Sequence, residues 1–261
     1  MITLYQFSFS HYCEKACWAL DYKSLPYECR NLLPGPHLKT TRGLAPRSSL
    51  PIVVDDGVVV QDSTAIISFL DEKYPELPLT PRDPREAKEA LEWEEFLDEE
   101  IGVTLRLWFY YHTLPDRDRA LRFLLTGAAW HERLLFPFMF PKVRTKMTQL
   151  MHIDAESARR SEQRLLAALA RLDETLSQRR FLVGDAFSRA DLTACALLKP
   201  WCAPGKSDAE VAAAFPESVC ALREDHRRRP FFDWTLETYR EHRSSRSSAF
   251  EQRAAGARPA L

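Results

Sequence analysis

The chain has 261 residues, and its 36 Lys and Arg against 37 Asp and Glu leave a formal charge of −1. With 45% hydrophobic and 28% charged residues, the composition excludes a disordered chain, a collagen-like repeat and a nucleic-acid binder driven by bulk positive charge. A length of this kind suits two domains or one large one.

Residues 2–7 are β-branched and aromatic, as a strand requires. The chain enters this strand at once, with no basic and apolar leader, so a cytoplasmic location is expected. Residues 14–23 carry Ala16, Ala19 and Leu20 at helical spacing and stop ahead of Leu25-Pro26. A second strand follows at 27–32, then a Pro- and Gly-rich stretch, 33–43, expected as an irregular loop with at most a short helix. Ile52-Val53-Val54 and Val58-Val59-Val60 flank Asp55-Asp56-Gly57, a hairpin signal. Ser63–Lys73 repeats its apolar residues at helix period. The order βαβ, loop, ββα predicts a small mixed sheet with helices packed on it, over residues 1–75.

Pro75, Pro78, Pro81 and Pro84 mark 76–84 as a linker, because proline continues neither a helix nor a central strand. Residues 85–243 read as helical throughout. Between 85 and 100 there are eight acidic and two basic residues, which favours a helix start. Its apolar stripe, Leu91, Phe96 or Leu97, Ile101, Leu105 and Trp108, predicts one continuous helix. Leucines 165, 166, 169, 172 and 176 give a second helical face, and 188–198, 216–227 and 231–243 complete the set. Residues 134–140 form the longest oily run, too short for a bilayer that needs about 20 apolar residues; a lid is expected here. Residues 244–261 are expected to be a loosely held tail.

The six cysteines form no CxxC pair and no zinc spacing, and read as reduced thiols. Arg227-Arg228-Arg229 reads as a solvated helix end. Gly205-Lys206-Ser207 lacks the earlier glycine and the strand of a phosphate loop. Neither nucleic acid nor membrane is expected as a partner, and no metal.

Three junctions carry chemistry. The first strand meets the first helix at Ser10-His11-Tyr12-Cys13, where unsatisfied N–H groups and the helix dipole favour a thiolate; Ser10 serves equally as a helix cap. Leu50-Pro51 precedes the hairpin, and a cis bond there would leave the Leu50 backbone free to pair with an extended peptide, whereas a trans turn is commoner. Gln61-Asp62-Ser63-Thr64-Ala65-Ile66 opens the next helix, to cap it or to receive a charged ligand end.

Together with 181–192 (Phe181-Leu182-Val183-Gly184-Asp185-Ala186-Phe187-Ser188-Arg189-Ala190-Asp191-Leu192), whose Ser188 and Asp191 form a capping box, these motifs make the chain resemble the cytosolic glutathione transferase family along nearly its whole length. The resemblance implies a thioredoxin-like N-terminal domain followed by an all-helical one. It implies glutathione as co-substrate, activated as thiolate by Ser10 and added to a small hydrophobic electrophile, in a homodimeric detoxification enzyme. By position, Leu50 and Pro51 would hold the cysteinyl unit, and Asp62 with Ser63 the γ-glutamyl end. Ser48-Ser49 replaces the Gly-Lys often found there in the family, so His37, Lys39 and Arg47 are candidates for the glycyl carboxylate. Tyr12 is a second hydroxyl within reach. Cys13 would support a rival glutathione-dependent thiol transfer or isomerisation, and a non-catalytic binding or scaffold module is the other alternative. Trp108 and Tyr111 are the candidates for the electrophile site.

Overall fold

The computed structural model describes residues 1–243, and the stretch expected to be a tail lies outside the described residues. Strand β1 (Ile2–Gln6) alternates buried Ile2, Leu4 and Gln6 with half-buried Thr3 and Tyr5. It pairs in parallel with β2 (Tyr27–Asn31) and antiparallel with β3 (Ile52–Asp55), Tyr5 opposite Ile52. β3 turns through Asp56-Gly57 into β4 (Val58–Gln61), giving the order β2-β1-β3-β4. Both turn residues have positive φ, 49° and 83°, as a two-residue hairpin matched to strand twist requires.

Helices α1 (His11–Tyr22) and α3 (Ser63–Lys73) pack on this sheet, burying Ala16, Trp18, Leu20, Ile66, Ile67 and Leu70 with Leu4 and Val53. The loop between β2 and β3 holds one short helix, α2 (His37–Thr41). Residues 74–83 contain neither helix nor strand, yet they are tied down: Asp71 accepts hydrogen bonds from the N–H groups of Leu79 and Thr80 at 3.0 and 2.8 Å.

Asp83 caps α4 (Pro84–Leu97), with Pro84 in the first turn where its missing N–H costs nothing. The continuous helix expected through Trp108 is interrupted: a π-helical segment, Asp98–Val103, separates α4 from α5 (Thr104–Thr113). This wider turn presses its backbone against α1, so that Asp98 carbonyl accepts the Tyr12 hydroxyl at 2.7 Å. A Cβ on Gly102 would overlap the Tyr12 phenol oxygen, which is why glycine stands there.

Helices α6 (Arg117–Leu124) and α7 (Trp130–Leu150) were not legible from periodicity, since α7 holds Pro137 and Pro141 in its interior. Each proline removes a backbone rung; Phe136, Phe140 and Val143, buried in the core, hold α7 together. The oily 134–140 run is therefore part of a helix and forms no separate lid. Its outer side exposes Leu134, Leu135 and Phe138. Helices α8 (Ala155–Leu176), α9 (Arg189–Cys202), α10 (Asp208–Ala214), α11 (Glu217–His226) and α12 (Pro230–His242) complete the bundle. α9 is buried on nearly all sides because it packs against α1 of the sheet half as well as α4 and α12. Among the described residues no helix is long and apolar enough to cross a membrane.

A candidate active site between sheet and helices

The register brings distant segments to one end of the sheet. β1 ends at Gln6, opposite the end of β2 at Asn31, and β3 starts at Ile52, beside Tyr5 and Gln61. The segments carrying Ser10, His37, Leu50-Pro51 and Asp62-Ser63 therefore all emerge at the same edge. The Leu50–Pro51 bond is cis, and the Pro51 carbonyl accepts the Asp62 N–H at 3.3 Å, fastening two of these segments together. Gln61 ties in a third loop, donating to the carbonyls of Arg47 and Ser49, both at 2.7 Å. Asp62 has a φ of 97°, a strained conformation for a non-glycine residue. Its carboxylate accepts from the N–H groups of Thr64 and Ala65 at 3.0 and 3.2 Å. Ser63 beneath it is buried.

Ser10 caps α1, and its hydroxyl accepts the Cys13 N–H at 3.4 Å. It is half-buried and faces a cleft lined also by Phe9, His11, Leu105, Arg106, Phe109, Tyr110, Phe123 and Pro200. A serine hydroxyl has a proton and a further lone pair to offer such a cleft. Cys13, one turn inside the helix, is buried; this pushes its thiol up to about 12, and hydrogen bonding from Ser10 and the Phe7 backbone offsets only part of the effect. It is held as a neutral thiol, which disfavours nucleophilic use. Tyr12 commits its hydroxyl to the Asp98 carbonyl, and burial raises its pKa well above the ordinary tyrosine range.

The opposite wall comes from α5. Arg106 lines the cleft with Phe109 and Tyr110, three and four residues on, the spacing of one helix face. Trp108 points the other way, donating its indole N–H to Glu162 of α8 at 2.9 Å and stacking on Trp201. Tyr111 packs edge-on to His112. The aromatic run thus contributes Phe109 and Tyr110 to the cleft in place of Trp108 and Tyr111. Helix rotation divides the aromatic run at the end of α5 between two sides, which residue order alone does not show. Arg106 was also missed, although a lone cation inside an apolar helical run was a readable signal.

At the edge, His37 lies against Phe7 at 4.9 Å and accepts the Gly35 N–H on Nδ1 at 3.0 Å; burial lowers its pKa, so it is neutral near pH 7. Lys39 is exposed on α2. Phe7, Phe9, Phe123 and Phe109 form a chain of aromatic contacts from the sheet to the bundle, at 5.4, 4.8 and 5.0 Å.

The family model described as glutathione S-transferase, N-terminal domain, matches residues 4–78, and that for the C-terminal domain matches residues 129–230. Glutathione S-transferase Z1 of Arabidopsis thaliana is 47% identical over 64 residues, which span 24% of this chain and 28% of that protein. A stringent starvation protein A homolog of Haemophilus ducreyi is 36% identical over 62 residues, 24% of this chain and 29% of its own. Among solved structures, beta-etherase LigF from Sphingobium sp. strain SYK-6 aligns over 91% of this chain and 99% of its own, with a TM-score of 0.58 at 23% identity. A glutathione S-transferase of Methylobacterium radiotolerans, in complex with glutathione sulfonate, aligns over 90% and 94%, with a TM-score of 0.56 at 22% identity. These two are likenesses of fold.

Proposed function

Since the chain belongs to the glutathione S-transferase family, we propose that it binds glutathione at this sheet edge, holds the thiol as thiolate with Ser10, and adds it to a small electrophile seated against α5. The observation that carries the reading is the placement of Ser10, at the N-terminus of α1 and on the cleft between sheet and helices. An unperturbed thiol has a pKa of about 8.5, so at neutral pH only a small fraction is thiolate. Bringing it down by about two units takes about 2.7 kcal/mol of preferential thiolate stabilisation. A charge-assisted hydrogen bond and a helix N-terminus together supply energies of that order. The Leu50 backbone would pair with the cysteinyl unit, Asp62 and Ser63 would receive the γ-glutamyl end, and His37 and Lys39 would meet the glycyl carboxylate. No metal enters this chemistry.

The test is Ser10→Ala beside Cys13→Ala. The serine variant is expected to lose about 10- to 100-fold in kcat/KM near pH 6.5 and to show the bound thiolate's ultraviolet absorbance only at higher pH. The cysteine variant is expected to stay within about threefold of wild type. Unchanged turnover and thiolate titration in Ser10→Ala removes Ser10 from this role, and glutathione binding without turnover on a broad electrophile panel makes the protein a binding module.

The same reading includes a cytoplasmic, homodimeric detoxification enzyme. Among the described residues no two cysteines are joined in a disulfide, as suits a reducing compartment. Trp130, Leu134, Leu135 and Phe138 leave an apolar row exposed on α7, of the kind a second copy covers. Light scattering is expected to give twice the chain mass, and the chain mass for Leu134→Asp/Phe138→Asp; a wild-type monomer ends the dimer proposal.

A further inference from the structure

Arg106 stands apart from the other sequestered arginines. Arg189 pairs with Glu94, Arg243 with Glu14 and Asp21, and Arg229 with Asp173. Arg106 instead sits half-buried on the cleft wall with its guanidinium 5.5 Å from the centre of the Tyr12 ring. Its Nε is buried and, among the described residues, has no hydrogen-bond partner. On the same cleft, His11 is only 6% exposed, and its Nε2 also has none. Two buried nitrogens on one cleft, without a partner among the described residues, call for a further polar group there, which a bound ligand can supply, because buried polar groups are otherwise satisfied.

The chemistry of the ligand follows from the lining. Contact with an aromatic face engages the flat side of a guanidinium and leaves its in-plane N–H donors available. Those donors match the two oxygens of a carboxylate in a bidentate pair. The rest of the wall, Phe9, Leu105, Phe109, Phe123 and Pro200, is apolar and suits a flat hydrocarbon body. We infer that Arg106 determines specificity at the second-substrate site, and that the electrophile is an aromatic or unsaturated acid whose carboxylate seats on the guanidinium edge. The inference rests on the reading of this cleft as a glutathione transferase site. It narrows the electrophile from any small hydrophobic molecule to an apolar one bearing a single negative charge.

The experiment is an equilibrium titration, read by tryptophan quenching, of 3,5-dinitrobenzoate and its methyl ester against the full chain, with and without S-methylglutathione. Neither probe carries a leaving group, so binding is read without turnover. Wild type is expected to bind the acid about tenfold more tightly than the ester. Arg106→Gln is expected to abolish that preference while leaving ester affinity within about twofold, and Arg106→Lys to retain part of it. An acid that binds no more tightly than its ester in wild type overturns the inference, whatever the variants do. So does a preference that survives in Arg106→Gln, or a variant that loses S-methylglutathione affinity while keeping its acid affinity. If S-methylglutathione fails to bind while the acid preference holds, the transferase reading fails and the acid subsite stands; the reverse pattern removes only Arg106.

Discussion

Ser10, His11 and Cys13 occupy a single turn of helix, and burial gives them different chemistry. Ser10 stays half-buried on the cleft, while Cys13 lies inside and is held as a thiol. Their S-x-x-C spacing was legible in the sequence, but which of the two faces a ligand depends on the helix's rotation against the sheet. His11 illustrates the same point in a measurable way. Burial, then the charges of Arg106 and Lys15, lower its pKa from 6.5 to about 3. The unfolded chain therefore takes up this proton first as pH falls. The stability linked to His11 is complete above about pH 6.5 and is lost progressively as pH drops toward 3. At pH 5 the loss amounts to about 2 kcal/mol. Thermal unfolding at pH 7 and pH 5 is expected to show a larger fall in midpoint for wild type than for His11→Asn, which has no proton to gain. Equal falls would mean that His11 is protonated in the folded protein.

At the scale of elements, capping signals were readable and helix interruptions were not. The Ser188–Asp191 box forms as its residues dictate: the Asp191 carboxylate accepts the N–H groups of Leu182 and Ser188 at 2.8 and 2.9 Å. The bond at Leu50–Pro51 is cis, one of the two isomers that the dipeptide alone left open. The π segment at Asp98–Val103 left no trace in the hydrophobic period, because its register is set by α1 pressing against Gly102. Gly102→Ala is accordingly expected to destabilise the protein by about 1–3 kcal/mol in urea, with loss of the Tyr12–Asp98 hydrogen bond. Tyr12→Phe, which removes that bond but keeps the ring, is expected to cost about 1 kcal/mol. An alanine variant as stable as wild type would show that α1 and the π segment can separate at no cost.

Over the whole molecule, the two halves are joined by charges as well as by oil. Lys15 of α1, fully buried, lies 2.8 Å from Asp98 and 3.0 Å from Glu94, and Glu94 in turn binds Arg189 of α9. Arg189 also donates to Ser68, Thr80 and the Thr64 carbonyl, so one network spans the sheet half, the linker and the bundle. Removing one member strands the others: Lys15→Met is expected to cost about 3–5 kcal/mol, read as a lower urea midpoint of the unfolding transition. A loss below about 1 kcal/mol would show that the halves are held by apolar packing alone. A net charge of −1 gave no sign of this network, since buried pairs cancel in any sum. The sequence by itself determined the order of the four strands, the helices of the sheet half and the α8, α9, α11 and α12 segments, the proline-marked passage, the Ser188–Asp191 cap and the family resemblance, because these follow from local periodicity, backbone preference and motif spacing. Only the tertiary structure decided that Phe109 and Tyr110 line the cleft while Trp108 does not, that Cys13 is shielded, and that Arg106 lines Ser10's cleft with an Nε that has no hydrogen-bond partner among the described residues. Those outcomes depend on how each helix is rotated and what lies across from it, and contacts between residues a hundred positions apart leave no local signal in the chain.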